Sequence, residues 1–416
     1  MPRLLPALVL LLTAASVRAA DPPADFFFKP NDRIVFLGDS ITEQFQYSTY
    51  LELYLTTRFP KANFTFLNAG ISGDTAHGGA GRFQAHVLAD KPTAVTINFG
   101  MNDAGYGEFR PDAAKRYVEK TAAMLDAAKK AGVRVALMSP NAVDWRVNDK
   151  FKLYVETQKR FYAPLKALAQ EEGVPFVDQY AATRAAIEKL AQDDPKAAKV
   201  RPFPDGVHTA PAGALLMAHT ILVGLKAPAA VSGVDVDAKT GETDTAGCRV
   251  DDLTATPYGV AFTRTDEALP MPMQKDWLPV LPYTDELTDL NWYGLKVTGL
   301  RDGDYAVVID GVEVGKVPAK KLAAGVNLGN VSYGPVFDQA NKVLAAINAK
   351  NQIVHQRFRG VTLFNLPSWL GDLRQSVDER KAKERARLMP KIEAAQIEVY
   401  KLAQPKPHKF EVRAVK

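Results

Sequence analysis

R-I-V-F-L-G-D-S-I-T-E-Q, residues 33–44, is the stretch on which the reading of this chain turns. The apolar run from Ile34 to Leu37 sits between turn formers and predicts a short buried strand. It ends in Gly38-Asp39-Ser40 and passes through Ile41 and Thr42 into a predicted helix. A serine at such a corner has its hydroxyl at the sheet edge and its amide beside a helix N-terminus. Acyl transfer needs both, an accessible nucleophile and a preorganised N–H for the oxyanion. Taken alone, Gly-Asp-Ser reads equally well as an Asp/Ser cap on an ordinary strand-to-helix turn. The rest of the chain has to decide.

A chain of 416 residues is long enough for two or three units, and 47% hydrophobic with 24% charged residues is the composition of a globular protein. The formal net charge of +5 is small and not gathered into a basic stripe, which argues against nucleic acid as a partner. Arg3, the apolar run 4–12 and Val17-Arg18-Ala19 have the layout of a signal peptide over residues 1–19. The mature chain is then expected to start near Ala20 and to be exported, to the periplasm or the medium. The leader is too short to span a bilayer and no later stretch is long enough, so no transmembrane anchor is expected. Cys248, the single cysteine, excludes an intramolecular disulfide.

From residue 32 to 225 strand-like and helix-like stretches alternate. Strands are expected at 34–37, 64–67, 94–98, 133–138 and 174–177. Helices are expected at 48–58, 81–89, 113–131, 150–172, 180–191 and 211–225. Short apolar strands separated by helices imply an α/β domain over residues 25–226, with a five-stranded parallel sheet covered on both faces. Ligands of such sheets sit at the carboxyl ends of the strands. Beyond the Ala227-Pro228-Ala229-Ala230 linker, residues 231–318 read as a β-rich antiparallel unit. Its runs are broken by the turn signals Arg301-Asp302-Gly303-Asp304 and Asp310-Gly311. Residues 319–416 read as a helical region with a long charged helix over 378–402 and a polar, frayed tail from Pro405.

Three more blocks fall at the carboxyl edge of the sheet. Asn68-Ala69-Gly70-Ile71-Ser72-Gly73-Asp74-Thr75 follows the second strand, and its glycines let backbone approach a ligand or simply supply a turn. Gly100-Met101-Asn102-Asp103 follows the third. Asn102 can offer its side-chain amide to an oxyanion or can form an Asx-turn. Asp205-Gly206-Val207-His208 precedes the last helix of the domain, and a carboxylate held three residues before a histidine can orient its imidazole.

In this order the four blocks resemble the SGNH/GDSL hydrolase family of esterases and lipases, over residues 32–225. The resemblance implies a flavodoxin-like SGNH hydrolase fold. It also implies Ser40 as nucleophile, His208 as general base and Asp205 as the carboxylate that orients it. The oxyanion hole would be the Ser40 N–H, the Gly73 N–H and the Asn102 side chain, with Gly70 serving the turn. Such a mechanism needs no metal and no other cofactor, and the histidines show no ligand spacing with cysteines or carboxylates.

The family includes lipases, thioesterases and carbohydrate O-acetylesterases, so reaction type follows more firmly than substrate. The leader and the appended C-terminal regions favour a secreted or periplasmic serine esterase that removes short acyl groups, O-acetyl above all, from a carbohydrate. Asp39, Tyr106 and Trp145 are candidate substrate contacts, the two aromatics as sugar-stacking rings or as ordinary loop anchors. A lipase, lysophospholipase or thioesterase of the same fold is the alternative enzyme. A catalytically dead carbohydrate-binding protein is the alternative outside enzymes, disfavoured because every residue of the site is present. Residues 351–360, rich in cations and aromatics, read as a solvated, salt-bridged segment, and the oligomeric state is open.

Overall fold

A computed structural model of the chain describes residues 22–283 and 290–415, and the leader expected at residues 1–19 lies outside them. The domain alternates as the periodicity demands. Its strands are β1 (Arg33–Gly38), β2 (Thr65–Gly70), β3 (Ala94–Asn98), β4 (Arg134–Met138) and β5 (Phe176–Val177). Its helices are α1 (Ser40–Glu43), α2 (Gln46–Arg58), α3 (Ala76–His86), α4 (Met101–Ala104), α5 (Pro111–Lys130), α6 (Phe151–Tyr162), α7 (Pro164–Glu172), α8 (Gln179–Asp193) and α9 (Pro211–Gly224). The strands form one all-parallel sheet in the order β2-β1-β3-β4-β5. The direction of winding reverses between β1 and β3, which opens a crevice at their carboxyl ends. Ser40 follows β1 and Asn102 follows β3.

The single helix expected over residues 150–172 is two. Pro164 brings no N–H to the ladder and its ring displaces the preceding turn, so α6 stops at Tyr162 and α7 restarts with proline in its first turn.

Beyond α9 come β6 (Ala230–Asp237), β7 (Thr243–Ala246), β8 (Cys248–Thr256), β9 (Gly259–Asp266), β10 (Trp292–Thr298), β11 (Asp304–Ile309), β12 (Val312–Pro318), α10 (Ala319–Ala324), β13 (Val326–Asn327), α11 (Pro335–His355), α12 (Arg374–Ala403) and β14 (His408–Ala414). The strands make two sheets, β13-β10-β6-β7 and β12-β11-β14-β9-β8, with a shared core between them that includes Val234, Leu295, Phe262, Val307 and Phe410. The expectation of a purely antiparallel unit fails at one pair: β6 and β10 run parallel, which the long connection through β7, β8 and β9 permits and a hairpin would not. The frayed tail is also corrected. Residues 408–414 alternate inward and outward side chains and fill the centre of the larger sheet, paired to β9 on one side and β11 on the other. Polar residues at every second position had disguised a strand with one buried face.

The helical region packs against the α/β domain and contributes Val343, Ile347, Val354, Ile392 and Val399 to its core. α2 lies under it, buried along nearly its whole length between α9, α11 and α12. Its charged residues are met from outside the domain. Glu52 accepts hydrogen bonds from Lys350 and Asn351, and the Arg58 guanidinium donates to the carbonyls of Pro228, Ala230 and Leu290 at 2.6–2.7 Å. Residues 351–360 are salt-bridged as expected but only partly solvated: Arg359 and His355 are exposed, while Arg357 turns inward and is forked onto the buried Asp90 carboxylate at 2.6 and 2.9 Å. Among the described residues no helix is long and apolar enough to cross a membrane.

Phe410 is fully buried in β14 and its ring stacks on that of Phe262 at 5.5 Å. Phe410→Ala should therefore cost about 3–5 kcal/mol, read by denaturant unfolding of the full chain. A frayed tail would give no change.

Candidate active site

Three glycine-bearing turns and one loop meet above the crevice. At the end of β1, Asp39 holds extended backbone and its carboxylate accepts from the Ile41 N–H at 3.0 Å, capping α1 and setting Ser40 in the helix's first turn. β2 ends directly beneath this turn. A Cβ on Gly70 would lie 2.3 Å from the Glu43 nitrogen, so Gly70 is required for close packing of α1 on the sheet, whereas the turn that follows uses Gly73, at φ +75°. Gly73 is exposed and has open space where a side chain would stand.

The blocks after β2 and β3 are tied together. The Asn102 side-chain amide donates to the Asp74 carbonyl at 2.9 Å, next to Gly73, and the Ala76 N–H donates to Asp103 at 3.0 Å. Arg82 closes the arrangement from α3. It is paired with Asp74 at 2.8 Å and donates to the Gly38 carbonyl at 3.3 Å. Glu43 does the same from α1: its carboxylate accepts from the N–H and hydroxyl of Ser72 and is met by Arg359 at 3.2 Å. Sequence reasoning missed Arg82, Glu43 and Arg359, since none belongs to a local pattern; the acid in the Ser40 turn was the one available signal.

The fourth block is a tight turn before α9. Gly206 sits at φ +89° against the Phe151 ring, and one Asp205 oxygen accepts from the backbone N–H of Val207 at 2.9 Å and of His208 at 2.7 Å. The other oxygen lies 2.6 Å from His208 Nδ1, and His208 Nε2 lies 2.8 Å from Ser40 Oγ. The structure thus brings Ser40, His208 and Asp205, distant in sequence, into one hydrogen-bonded line. Burial pulls the Asp205 carboxyl up, but the bonds from the His208 ring and the two backbone N–H groups outweigh it and hold the group below the ordinary carboxylate value. An ionised Asp205 keeps the proton on Nδ1, which leaves the Nε2 lone pair facing the serine hydroxyl. That geometry can deprotonate Ser40 as it attacks a carbonyl, and Gly73 and Asn102 stand in the adjoining blocks after β2 and β3.

The three further candidates fare differently. Tyr106 stands beside the site, and its hydroxyl donates to the Asn102 side-chain oxygen at 3.2 Å, which fixes the amide with its N–H₂ toward the Asp74 carbonyl. Trp145 is half-buried with the Arg184 guanidinium 4.2 Å over its ring, the loop-anchor arrangement. Asp39 is 3% exposed and spent on its cap, so it is a positioning residue and not a substrate contact. Among the described residues no group of His, Cys, Asp and Glu could hold a metal ion.

Residues 36–216 match the model of the GDSL-like lipase/acylhydrolase family. The chain is similar to the acetylxylan esterase of Geobacillus stearothermophilus, 26% identical over 212 residues, which are 46% of this chain and 92% of that protein. It is similar to the thioesterase 1/protease 1/lysophospholipase L1 of Escherichia coli, 26% identical over 144 residues, 34% of this chain and 68% of that one. Among solved structures it resembles a gut microbial diltiazem-metabolizing enzyme with a TM-score of 0.79 and 25% identity, across 95% of this chain and 99% of that chain. That likeness takes in the C-terminal sheets and helices as well as the α/β domain.

Burial raises the Asp39 carboxyl to about 7 from 3.8; the Ile41 N–H opposes the shift, and the charges of Asp103 and Asp74 add to it. The native state therefore keeps a proton that the unfolded chain releases. This contribution to stability is complete below about pH 4 and is lost as pH rises toward 7. Asp39→Asn preserves the capping oxygen without the charge. Its Tm relative to wild type should be higher at about pH 8 than at about pH 5; an equal offset at both would overturn the assignment.

Proposed function

We propose that this chain, a member of the GDSL-like lipase/acylhydrolase family through residues 36–216 and so a carboxylic ester hydrolase, removes short acyl groups, acetyl above all, from the hydroxyls of a carbohydrate. The observation that carries the reading is the line from Asp205 through His208 to Ser40, with contacts of 2.6 and 2.8 Å. His208 takes the Ser40 proton as Oγ adds to the ester carbonyl. The Ser40 N–H, the Gly73 N–H and the Asn102 amide stabilise the oxyanion, and His208 returns the proton to the departing sugar oxygen, which leaves as a hydroxyl. Water activated by the same imidazole then hydrolyses the acyl-serine and frees the carboxylate. Similarity to an acetylxylan esterase across nearly all of that protein supports the acetyl and carbohydrate parts of the reading. The leader-like residues 1–19 support an exported enzyme, where polysaccharides are met.

Similarity to the thioesterase and lysophospholipase of Escherichia coli favours a second reading with the same chemistry on lipid or thioester substrates. The two part on acyl length. Ser40→Ala should lower kcat by about 10⁴–10⁶ on an acetate ester. On a series of nitrophenyl esters, wild-type activity should fall steeply beyond acetate, and acetate should be released from acetylated glycans. Preference for long chains would move the assignment to the lipid reading. A wild type no faster than the serine variant on every ester would leave a binding protein.

A further inference from the structure

The C-terminal helices do more than cover the α/β domain. They build one wall of a groove that begins a turn of backbone away from the nucleophile. Two adjoining open hollows share Gln44, Phe45, Thr49 and Asn348, so α11 forms one side and the α1–α2 junction the other. Gln44 links the groove to the reacting atoms. Its N–H donates to the Ser40 carbonyl at 3.0 Å, and its side-chain oxygen accepts from Thr209, the neighbour of His208, at 3.1 Å. Four residues of helix separate Ser40 from Gln44, about 6 Å along the axis, close to the length of one sugar ring.

The lining is polar and aromatic, with few charged groups. Asn348 and Gln352 are exposed along α11, and Gln274 opens the far end. A primary amide both donates and accepts, as a sugar hydroxyl does. Phe45 stands half-buried between the hollows with the His355 ring edge-on at 5.9 Å, and Tyr50 packs edge-on to Trp277 at 4.6 Å, so ring surface alternates with amides. His355 is the one basic group in the lining and Glu43 and Asp276 are acidic, which disfavours a phosphate or a sugar acid; the interrupted apolar surface disfavours an acyl chain. Phe45 also holds a left-handed backbone at φ 61°, a conformation rare for a bulky residue and one that concentrates at ligand sites.

We propose that this groove binds the sugar units next to the acylated one, as a subsite for a neutral oligosaccharide supplied jointly by the α1–α2 junction and α11. The proposal rests on the carbohydrate reading of the substrate and adds where the chain of sugars lies. It makes the C-terminal helices the source of selectivity for oligomeric over small esters, while Ser40, His208 and Asp205 treat both alike.

The double substitution Asn348→Ala with Gln352→Ala removes two exposed amides that touch no reacting atom. KM for an acetylated xylooligosaccharide should rise about tenfold, while kcat and KM for nitrophenyl acetate stay at wild-type values. Asn348→Trp, which fills the groove, should repeat that split more strongly. The deacetylated oligosaccharide should inhibit nitrophenyl acetate hydrolysis by the wild type competitively and by either variant more weakly. Equal effects on both substrates, or none on the oligosaccharide, would overturn the groove assignment and leave the esterase reading standing. A wild type that turns over nitrophenyl acetate but no acetylated oligosaccharide would remove the carbohydrate reading, and the groove proposal with it.

Discussion

A helix that carries charge into the interior has to be answered there, and α2 sets this constraint for the molecule. Glu52 and Arg58 are buried to within 2% of full enclosure, where an unpaired charge would cost several kcal/mol. Within the α/β domain Arg58 meets only Tyr54 among the described residues, whose hydroxyl lies at 3.4 Å, and the strongest contacts of both charges come from beyond it. Lys350 and Asn351 on α11 meet Glu52, and carbonyls of the connection to the β-rich unit meet Arg58. The α/β domain is thus left incomplete by its own sequence, and the C-terminal half is held against it by the need to satisfy these groups. Arg357 on Asp90 repeats the pattern at the next face.

That docking reaches the chemistry. The α1 turn that presents Ser40 ends in Glu43, whose carboxylate holds Ser72 beside Gly73 and is itself met by Arg359. Arg82 pins the same loop from the other side. Short turns with little secondary structure of their own are made rigid by a shell of charge-assisted bonds, one of which comes from the helical region. The donors proposed for the oxyanion are thereby held in place before any substrate arrives.

The residues that meet at the candidate site were legible in the sequence because their signals are local. A strand running into Gly38-Asp39-Ser40, a glycine turn, Asn102 just past β3 and Asp205 three residues before His208 each declare themselves within a few positions. Asp39 misled for the same reason: a short motif does not say whether its carboxylate faces the crevice or its own helix. What stayed hidden depends on distant pairing. Lys350 and Glu52 are separated by 298 residues, and nothing around either foretells the other. β14 was hidden differently, since its inward residues alternate with charged ones and only the presence of β9 and β11 on either side tells it from a polar tail.

The position of β14 bears on how the protein is made. In the order β12-β11-β14-β9-β8, two hairpins are complete long before the strand that joins them has been synthesised. Until residues 408–414 arrive, β9 and β11 each present an open edge of unpaired backbone, the kind of surface that recruits strands from other molecules. Nascent chains at this stage expose both edges at once, and a message cut short between β12 and β14 yields a product with an intact Ser40 motif and a permanent invitation to aggregate.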